Sequence, residues 1–266
     1  MRKPYNKRSL YFYCLLIVTW VILFFLIIPI IISLIGSFAE AWQKSLFGNF
    51  TLGWYRYVLK HYSHTIRLSL LIAFCCVIIQ CFIGVPTAYV LVKAKSRFIG
   101  LFEELIMLPI AIPGIALAIA LIQTHSFIRG YWYFILIGHI VFTFPFMIRT
   151  VASTMNAIDL DLLEEGAVSL GASFWYRFFH VVTPNVKHSI IAGALMVFTI
   201  SLGEFNLTLF LMTPLNMTLP VGLYDSYASM RIEVGSAYTS LFFVILIPIT
   251  IVAQYLGGKE EQIINV

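Results

Sequence analysis

Long apolar stretches constrain the fold of this chain more than any other feature of its sequence. A helix of about 20 apolar residues is long enough to cross the hydrocarbon core of a bilayer. Stretches of that length fall at residues 10–35, 66–92, 101–123, 131–151, 189–212 and 237–257. Hydrophobic residues make up 61% of the chain and charged residues only 11%, whereas soluble domains have about 45–50% and about 25%. The sequence therefore predicts an all-α, polytopic membrane protein with six transmembrane helices.

The distribution of lysine and arginine predicts the orientation of these helices, since cytoplasmic loops carry the excess of both residues. If both termini are inside, six basic residues lie outside: Lys44, Arg56, Lys60, Arg67, Arg129 and Arg231. Eleven then lie inside: Arg2, Lys3, Lys7, Arg8, Lys93, Lys95, Arg97, Arg149, Arg177, Lys187 and Lys259. This orientation places the polar loop at 152–188 in the cytoplasm. The first apolar run is too long for the core of a signal peptide, so we expect an uncleaved first helix.

The spans divide the chain into three parts. Residues 1–64 contain a cytoplasmic N-terminal tail, the first transmembrane helix and an external loop. Residues 65–257 form the transmembrane core, and residues 258–266 form a cytoplasmic tail. Within the core, the segment at 159–184 is the longest predicted cytoplasmic interruption between apolar stretches.

Residues 159–184 carry the local signals of a helix that ends in a tight turn. Asp161 followed by Glu164 is typical of a variant capping box. Apolar residues then recur at helical spacing and form one stripe: Leu162, Leu163, Ala167 and Leu170. Gly171 can adopt the left-handed backbone conformation that ends a helix.

A second short helix is expected to follow, with Ser173 as its cap and Pro184 as its end. Helices this short are marginal alone in water and need a surface on which to pack. Trp175 and Arg177 would suit the headgroup region of a bilayer. An anionic leaflet is a poor match, however, for four acids within seven residues: Asp159, Asp161, Glu164 and Glu165. A protein partner is therefore the favoured surface, with membrane lipid as the alternative.

Prolines predict which parts of the transmembrane core face its interior. Pro109 and Pro113 are expected to break the third helix near its middle, and Pro145 the fourth, because each proline removes a backbone donor. In lipid, such a break is tolerated only where the helix faces protein or a water-filled path. Plain curvature of the helices for packing is the alternative explanation.

Glu204 is the only acid well inside a predicted span, where an ionised side chain costs about 2.5–3.5 kcal/mol on insertion scales. We expect it to line a solute pathway or to pair with a basic group on a second subunit. Asn206 and His139 are further candidates, although a lone intramembrane histidine more often makes an interhelical hydrogen bond. Together with Pro109 and Pro113, these residues make up the predicted pathway.

Other classes of protein are disfavoured by what the sequence lacks. It has no GxxxxGK[ST] motif, and Gly257-Gly258-Lys259 is followed by Glu260, so no ATP-binding loop is predicted. No Ser-His-Asp or paired-carboxylate pattern indicates catalysis, and no basic face interleaved with aromatic residues indicates nucleic-acid binding. The cysteines lack metal-ligand spacing and are expected to be reduced: Cys14, Cys75, Cys76 and Cys81. We therefore predict no catalytic residues, no metal and no cofactor.

One spacing pattern within 159–184 resembles that of a known family. Glu165, Gly166 and Ala167 are followed, after three residues, by Gly171. After nine more residues comes the last group: Val181, Val182, Thr183 and Pro184. This arrangement resembles the EAA loop of type I, binding-protein-dependent ABC importer permeases. The family usually has alanine at the position of Gly166, and glycine there lowers helix propensity by about 1 kcal/mol.

The resemblance covers residues 65–257 and implies a permease core of five helices, to which the first helix is added. It implies that five residues couple the permease to an ATPase: Glu165, Gly166, Ala167, Gly171 and Pro184. The implied partners are a second permease subunit in a heterodimer, two ABC ATPase subunits and an extracytoplasmic solute-binding protein. The implied location is a bacterial inner membrane, where membrane lipid surrounds the protein. ATP hydrolysis would belong to the partner ATPase, and this chain would not be an enzyme.

Three further segments resemble the branch of this family that serves polyamines, ferric iron, thiamine and 2-aminoethylphosphonate: FTLGWYRYVL, LPIAIPGIALAIAL and LTLFLMTPLNMTLPVGLY. SLGEFN is nearer to the phosphonate, thiamine and oxyanion members, in which GEFG is usual, and Asn206 departs from that pattern. The resemblance implies an aminophosphonate-like or polyamine-like solute. An ion-gradient-driven secondary transporter or channel is the alternative, which would need intramembrane ionisable pairs or an internal repeat.

Overall fold

A computed structural model describes residues 7–42, 49–94 and 98–264. Five basic residues used in the orientation argument lie outside the described residues: Arg2, Lys3, Lys44, Lys95 and Arg97. The described chain is almost entirely helical. In order, its helices are α1 (Lys7–Gly36), α2 (Gly53–His61), α3 (Ser63–Lys93), α4 (Ile99–Ala111), α5 (Gly114–His125), α6 (Trp132–Ala157), α7 (Leu160–Ser169), α8 (Phe174–Arg177), α9 (Thr183–Asn185), α10 (Lys187–Gly203), α11 (Asn206–Leu211), α12 (Leu219–Ala228) and α13 (Ile232–Ile264).

Within the described residues, four helical stretches are long and apolar enough to cross a membrane: Tyr11–Gly36, Ser63–Lys93, Trp132–Ala157 and Ile232–Val252. Two bent pairs of helices raise the number to six if each pair is counted as one span. The pair α4 and α5 is bent by 104°, and the helical segment Phe174–Asn185 is bent by 74° against α10. The predicted all-α, multi-pass class is therefore confirmed.

Two of the predicted spans are interrupted. The span predicted at 101–123 is divided between α4 and α5, because the residue before Pro113 is extended and Pro113 itself has no N–H to donate. The span predicted at 189–212 ends at Gly203, and α11 is a separate short helix. Pro109 and Pro145, by contrast, lie inside the helices α4 and α6, so the breaks predicted at these two prolines are wrong. Packing against neighbouring helices keeps α6 continuous, although Pro145 removes one of its backbone hydrogen bonds.

The chain divides into two units, one of residues 1–61 with 225–241 and one of residues 62–224 with 242–266. In the first unit, every side chain of α1 from residue 11 to residue 32 is exposed. An apolar surface of that extent requires lipid or another protein as its neighbour. Hydrogen bonds tie the segment after α1 to the start of α13: Trp42 N–H to Glu233 at 2.9 Å, and the Ser240 hydroxyl to that of Ser37 at 3.0 Å.

In the second unit, α3, α6 and α10 pack around a shared apolar core. Its buried side chains include Ile72, Phe134, Ile135, Val151 and Val197. Two glycines allow the three backbones to approach each other. A Cβ atom at Gly84 of α3 would lie 2.8 Å from Cγ of Met147 in α6, and one at Gly193 of α10 would lie 2.9 Å from its Sδ. Small residues at such contacts are typical of membrane helices. These three helices form the frame that holds the candidate site.

Candidate functional site

Residues 159–185 form a hairpin of short helices, which we call the hairpin below. The side chain of Asp159 accepts a hydrogen bond from the N–H of Leu162 at 3.1 Å and caps α7. The capping box predicts Asp161 as the cap, and this prediction is wrong. The helix begins at Leu160, two residues before that box requires, and Asp161 lies in its first turn.

A glycine turn joins the two arms of the hairpin. Gly171 has a φ of +80°, in the left-handed region. The N–H of Ala172 donates to the carbonyl of Ala167 at 3.0 Å and satisfies a group at the end of α7. Ser173 then accepts from the N–H of Tyr176 at 3.4 Å and caps the second arm.

Pro184 does not end the second arm, contrary to expectation. The helical backbone continues from α8 through a π turn at Phe178–Val182 into α9, which ends at Asn185. Pro184 lies in the first turn of α9. A missing N–H is tolerated there because the first N–H groups of a helix have no intrahelical acceptor.

Several large apolar side chains of the hairpin are exposed. Leu170 is 89% exposed and Trp175 is 65% exposed. Further exposed members of this surface are Leu162, Leu163, Val168, Tyr176 and Phe179. Glu165 is also exposed and takes no part in the ion pairs of the described residues. A Cβ atom at Gly166 would meet nothing within 4 Å. The hairpin thus presents a patch that suits a protein partner.

One acid of α7 points inward instead. Glu164 is 3% exposed. The Tyr89 hydroxyl donates to its Oε1 at 2.8 Å, and Nζ of Lys93 lies 2.7 Å from its Oε2. Lys93 also pairs with Asp161. The sequence reasoning missed Tyr89 and Lys93, although two polar side chains at i, i+4 spacing near the end of an apolar helix are a signal that could have found them.

Two helix interruptions meet in the second unit. One lies at residues 112–113, between α4 and α5, and the other at residues 204–205, between α10 and α11. A Cβ atom at Gly114 would lie 3.5 Å from Oε1 of Glu204 and 3.5 Å from Cβ of Asn206. The start of α5 therefore lies next to the second interruption, with room at position 114 for little more than a methyl group. Interrupted membrane helices of this kind often form solute sites in transporters.

Glu204 follows the last residue of α10 and does not lie within a continuous span, which corrects the prediction. Its carboxylate accepts the N–H of Leu207 at 2.7 Å and caps the start of α11. The chain can be interrupted there because the side chain supplies an acceptor that the new helix lacks. Glu204 is half-buried and Asn206 is exposed. No basic side chain of the described residues forms an ion pair with Glu204.

His139 is enclosed by neighbouring helices. Its side chain is 2% exposed, with Nδ1 at 2.8 Å from the Ser201 hydroxyl and Nε2 at 2.7 Å from the Thr208 hydroxyl. The ring therefore joins α6 to α10 and α11, as an interhelical hydrogen-bonding group does. Of the two prolines of the predicted pathway, Pro109 is half-buried in the last turn of α4 and Pro113 is exposed at the interruption.

Comparison with known proteins gives relatives over most of the chain. The family described as "Binding-protein-dependent transport system inner membrane component" matches residues 80–260. The permease protein PhnV of Salmonella choleraesuis, named for 2-aminoethylphosphonate transport, is 28% identical over 255 residues, which are 91% of this chain and 94% of PhnV. The spermidine/putrescine transport system permease protein PotC of Escherichia coli is 26% identical over 248 residues, which are 90% of this chain and 91% of PotC.

Solved structures share the fold at lower identity. A bacterial ABC transporter involved in the import of alginate matches with a TM-score of 0.77 at 15% identity, covering 95% of this chain and 96% of its own. A bacterial alginate ABC transporter in complex with an alginate pentasaccharide-bound periplasmic protein matches with a TM-score of 0.74 at 15% identity, covering 94% of each chain. The MetNI methionine ABC transporter matches with a TM-score of 0.61 at 15% identity, covering 78% of this chain and 97% of its own.

The helical core, its interrupted helices and the exposed hairpin have the fold of an ABC importer permease. The chain belongs to the family of inner membrane components of binding-protein-dependent transport systems. It is therefore a multi-pass permease subunit of an ATP-driven importer in a bacterial inner membrane. These matches confirm the predicted class and lend no support to a transporter driven by an ion gradient.

Proposed function

We propose that this permease imports a small organic solute that carries an amine, either aminophosphonate-like or polyamine-like. The observation that carries the proposal is the Glu204 carboxylate, half-buried where two helix interruptions meet and not paired with a cation among the described residues. A carboxylate in that setting can bind an ammonium group through charge-assisted hydrogen bonds. The solutes in the names of PhnV and PotC all carry such a group.

The other pathway residues complete the proposed solute site. Asn206 offers both a donor and an acceptor two residues from Glu204. Pro113 maintains the interruption between α4 and α5, so that backbone groups near it can meet the solute, and Pro109 lies one turn before it in α4. His139 would act without touching the solute. Its hydrogen bond to Thr208 holds α11 in place.

The hairpin is the proposed docking site for the ATPase. Leu170 and Trp175 would supply apolar contact area, and Glu165 a charge for the rim of the interface. Gly171 shapes the turn between the two arms. ATP would be hydrolysed by two separate ATPase subunits, whose closure moves the hairpin and rocks the helices between inward-open and outward-open states.

The complete importer would contain further subunits. A second permease, in a heterodimer with this one, would provide the facing half of the pathway and cover part of the exposed helix α1, with lipid covering the rest. An extracytoplasmic binding protein would deliver the solute. The solved alginate transporter with its solute-bound periplasmic protein supports that last contact.

Uptake measurements with defined solutes test the proposed site. Cells that lack their own systems would express the importer and be given labelled 2-aminoethylphosphonate, putrescine or spermidine, with thiamine and ferric iron as competitors. We expect uptake of one amine to fall about tenfold or more in Glu204→Gln, which keeps shape but removes charge. Glu103→Gln, which removes an exposed acid at the other end of α4, is the matched control. Unchanged uptake in both Glu204→Gln and Glu204→Leu would rule out the proposed solute site.

A further inference from the structure

We infer that Glu164, Tyr89 and Lys93 form a clasp that transmits the movement of the hairpin to α3. None of the three would touch solute or ATP, so they are positioning residues for transport. This inference rests on the proposed role of the hairpin as the ATPase docking site. It assigns to the inward side of α7 a task different from that of its outward side.

The clasp holds the first arm of the hairpin through a buried charge. Glu164 is 3% exposed, and both of its carboxylate oxygens have a partner on α3. Hydrogen bonds to a buried carboxylate are directional, and separating them leaves a charge without compensation. Apolar contacts alone would let α7 slide over α3, whereas these bonds resist both sliding and separation.

The same turn of α3 also contacts the second arm. The Tyr89 ring meets Phe178 edge-on, with centroids 5.4 Å apart, and meets Phe174 with centroids 6.0 Å apart. Lys93, four residues after Tyr89, pairs with both Glu164 and Asp161. One turn of α3 therefore contacts both arms, and the hairpin cannot move without α3 as long as the clasp is closed.

Helix α3 is suited to carry this movement across the second unit. It has 31 residues, a length of about 46 Å at 1.5 Å per residue. Near its first turns, the Ser69 hydroxyl accepts the N–H of Leu219 at 2.7 Å. Between these ends, Nε2 of Gln80 donates to the carbonyl of Ile140 at 2.8 Å and to the Thr143 hydroxyl at 3.1 Å, both on α6.

From α6 the polar contacts continue to the interrupted helices. The Thr143 hydroxyl donates to the carbonyl of His139 at 2.7 Å, and the His139 ring bonds Ser201 and Thr208. Thr208 belongs to α11, the helix that Glu204 caps. Bonded groups thus connect the hairpin with the proposed solute site, and the clasp is the first link of that connection.

The number of solute molecules imported per ATP hydrolysed tests the clasp, since a merely structural role would not change that ratio. The assembled importer in proteoliposomes would be given 2-aminoethylphosphonate or spermidine, whichever the wild type imports. We expect Glu164→Gln to keep its bound ATPase and its KM for ATP while the ratio falls about fivefold or more. Lys93→Gln should behave alike. The double variant should lose less than the sum of the two single losses, because both substitutions remove the Glu164–Lys93 ion pair.

Controls separate the clasp from general damage. Glu103→Gln, the loss of an exposed acid on α4, should keep the wild-type ratio. Tyr89→Phe keeps the ring contacts and removes one hydrogen bond, so it carries the same prediction if Glu164→Gln fails to accumulate in the membrane. The clasp is overturned by an unchanged ratio, by losses that add in the double variant, or by loss of the ATPase from the Glu164→Gln complex.

A distance measurement tests the clasp without any solute. Spin labels at Val90→Cys on α3 and Ser169→Cys on α7, in a background without the native cysteines, report whether the two helices move together. We expect one unchanged distance between nucleotide-free and ATP–vanadate-trapped wild type, and a changed distance on trapping in Glu164→Gln. A distance that changes in the wild type would overturn the clasp.

Docking itself is tested separately by Trp175→Ala: if that variant binds the ATPase like the wild type, the proposed docking site fails whatever the clasp variants show.

Discussion

Glu204 lies beside Gly114 where two interrupted helices meet, so that a Cβ atom at Gly114 would stand 3.5 Å from Oε1 of Glu204. Glu204 caps α11 and Gly114 begins α5, so each residue sits at the end of its own helix. A side chain larger than that of alanine at position 114 would compete with the carboxylate for the same space. Size at one position and charge at the other can therefore be varied separately.

The close packing around Gly114 predicts that transport tolerates only a small side chain at position 114. Gly114→Ala should retain uptake, because its nearest neighbours would lie at 3.4–3.5 Å, which are ordinary van der Waals contacts. Gly114→Leu should reduce uptake about tenfold or more, because its further atoms would displace Glu204 from its position. Labelled-amine uptake, corrected for the amount of permease in the membrane, measures this. The control is Gly100→Leu, where a Cβ atom meets nothing within 4 Å, and equal losses in both leucine variants would contradict the prediction.

The two glycines of the hairpin should respond to alanine in opposite directions. Gly166→Ala should stabilise α7 by about 1 kcal/mol, since the position is helical and open. Gly171→Ala should destabilise the hairpin by roughly 1–2 kcal/mol, since alanine disfavours a φ of +80°. Thermal unfolding of the purified complex, together with proteolysis at the hairpin, measures both. Shifts of the same sign would show that the turn does not depend on the left-handed conformation.

Glu165 is predicted to serve the ATPase contact. Glu165→Ala should insert and accumulate normally, yet solute-stimulated ATP hydrolysis should fall about tenfold, because an interfacial charge loses its partner. Ser169→Ala, an exposed position four residues further along α7, is the matched control. Wild-type stimulation in the Glu165 variant would mean that this residue does not couple the two subunits.

His139 is predicted to stabilise the folded permease and not to bind the solute. His139→Leu leaves the Ser201 and Thr208 hydroxyls without their partner, at a cost of about 1–3 kcal/mol for each buried group. The midpoint of thermal unfolding should fall, whereas His125→Leu, at an exposed position, should leave it unchanged. In His139 variants that still fold, KM for the solute should stay near the wild-type value. A large rise in KM without loss of stability would instead place His139 in the solute pathway.

The orientation drawn from the lysine and arginine distribution can be checked at two exposed positions. In a background without the native cysteines, Arg129→Cys should react with a membrane-impermeant thiol reagent added outside intact cells. Leu170→Cys should react only after the membrane is opened, because the hairpin is predicted to be cytoplasmic. Labelling of both from the same side would break the predicted topology.

Much of the fold could be predicted because its signals are local. The stretches at 66–92 and 131–151 form α3 and α6, since a long apolar segment favours a bilayer whatever its neighbours are. The resemblance of the hairpin to the EAA loop could likewise be recognised, because it depends on residue types at set spacings. Prolines mark the limit of such signals. Pro113 interrupts a helix and Pro145 does not, and only the packing of each segment distinguishes the two cases.

The sequence by itself determined that this chain lies in a membrane, that its segments are helical and that one polar hairpin interrupts them, because apolar length, glycine and capping residues act over a few neighbours. Only the tertiary structure decided what the acids do. Glu164 can stay buried because Tyr89, 75 residues earlier, donates to it, and Glu204 lies beside Gly114 because interruptions in two distant segments meet at the same place. Partners so far apart in the chain are brought together by packing, and no local pattern of residues encodes that pairing.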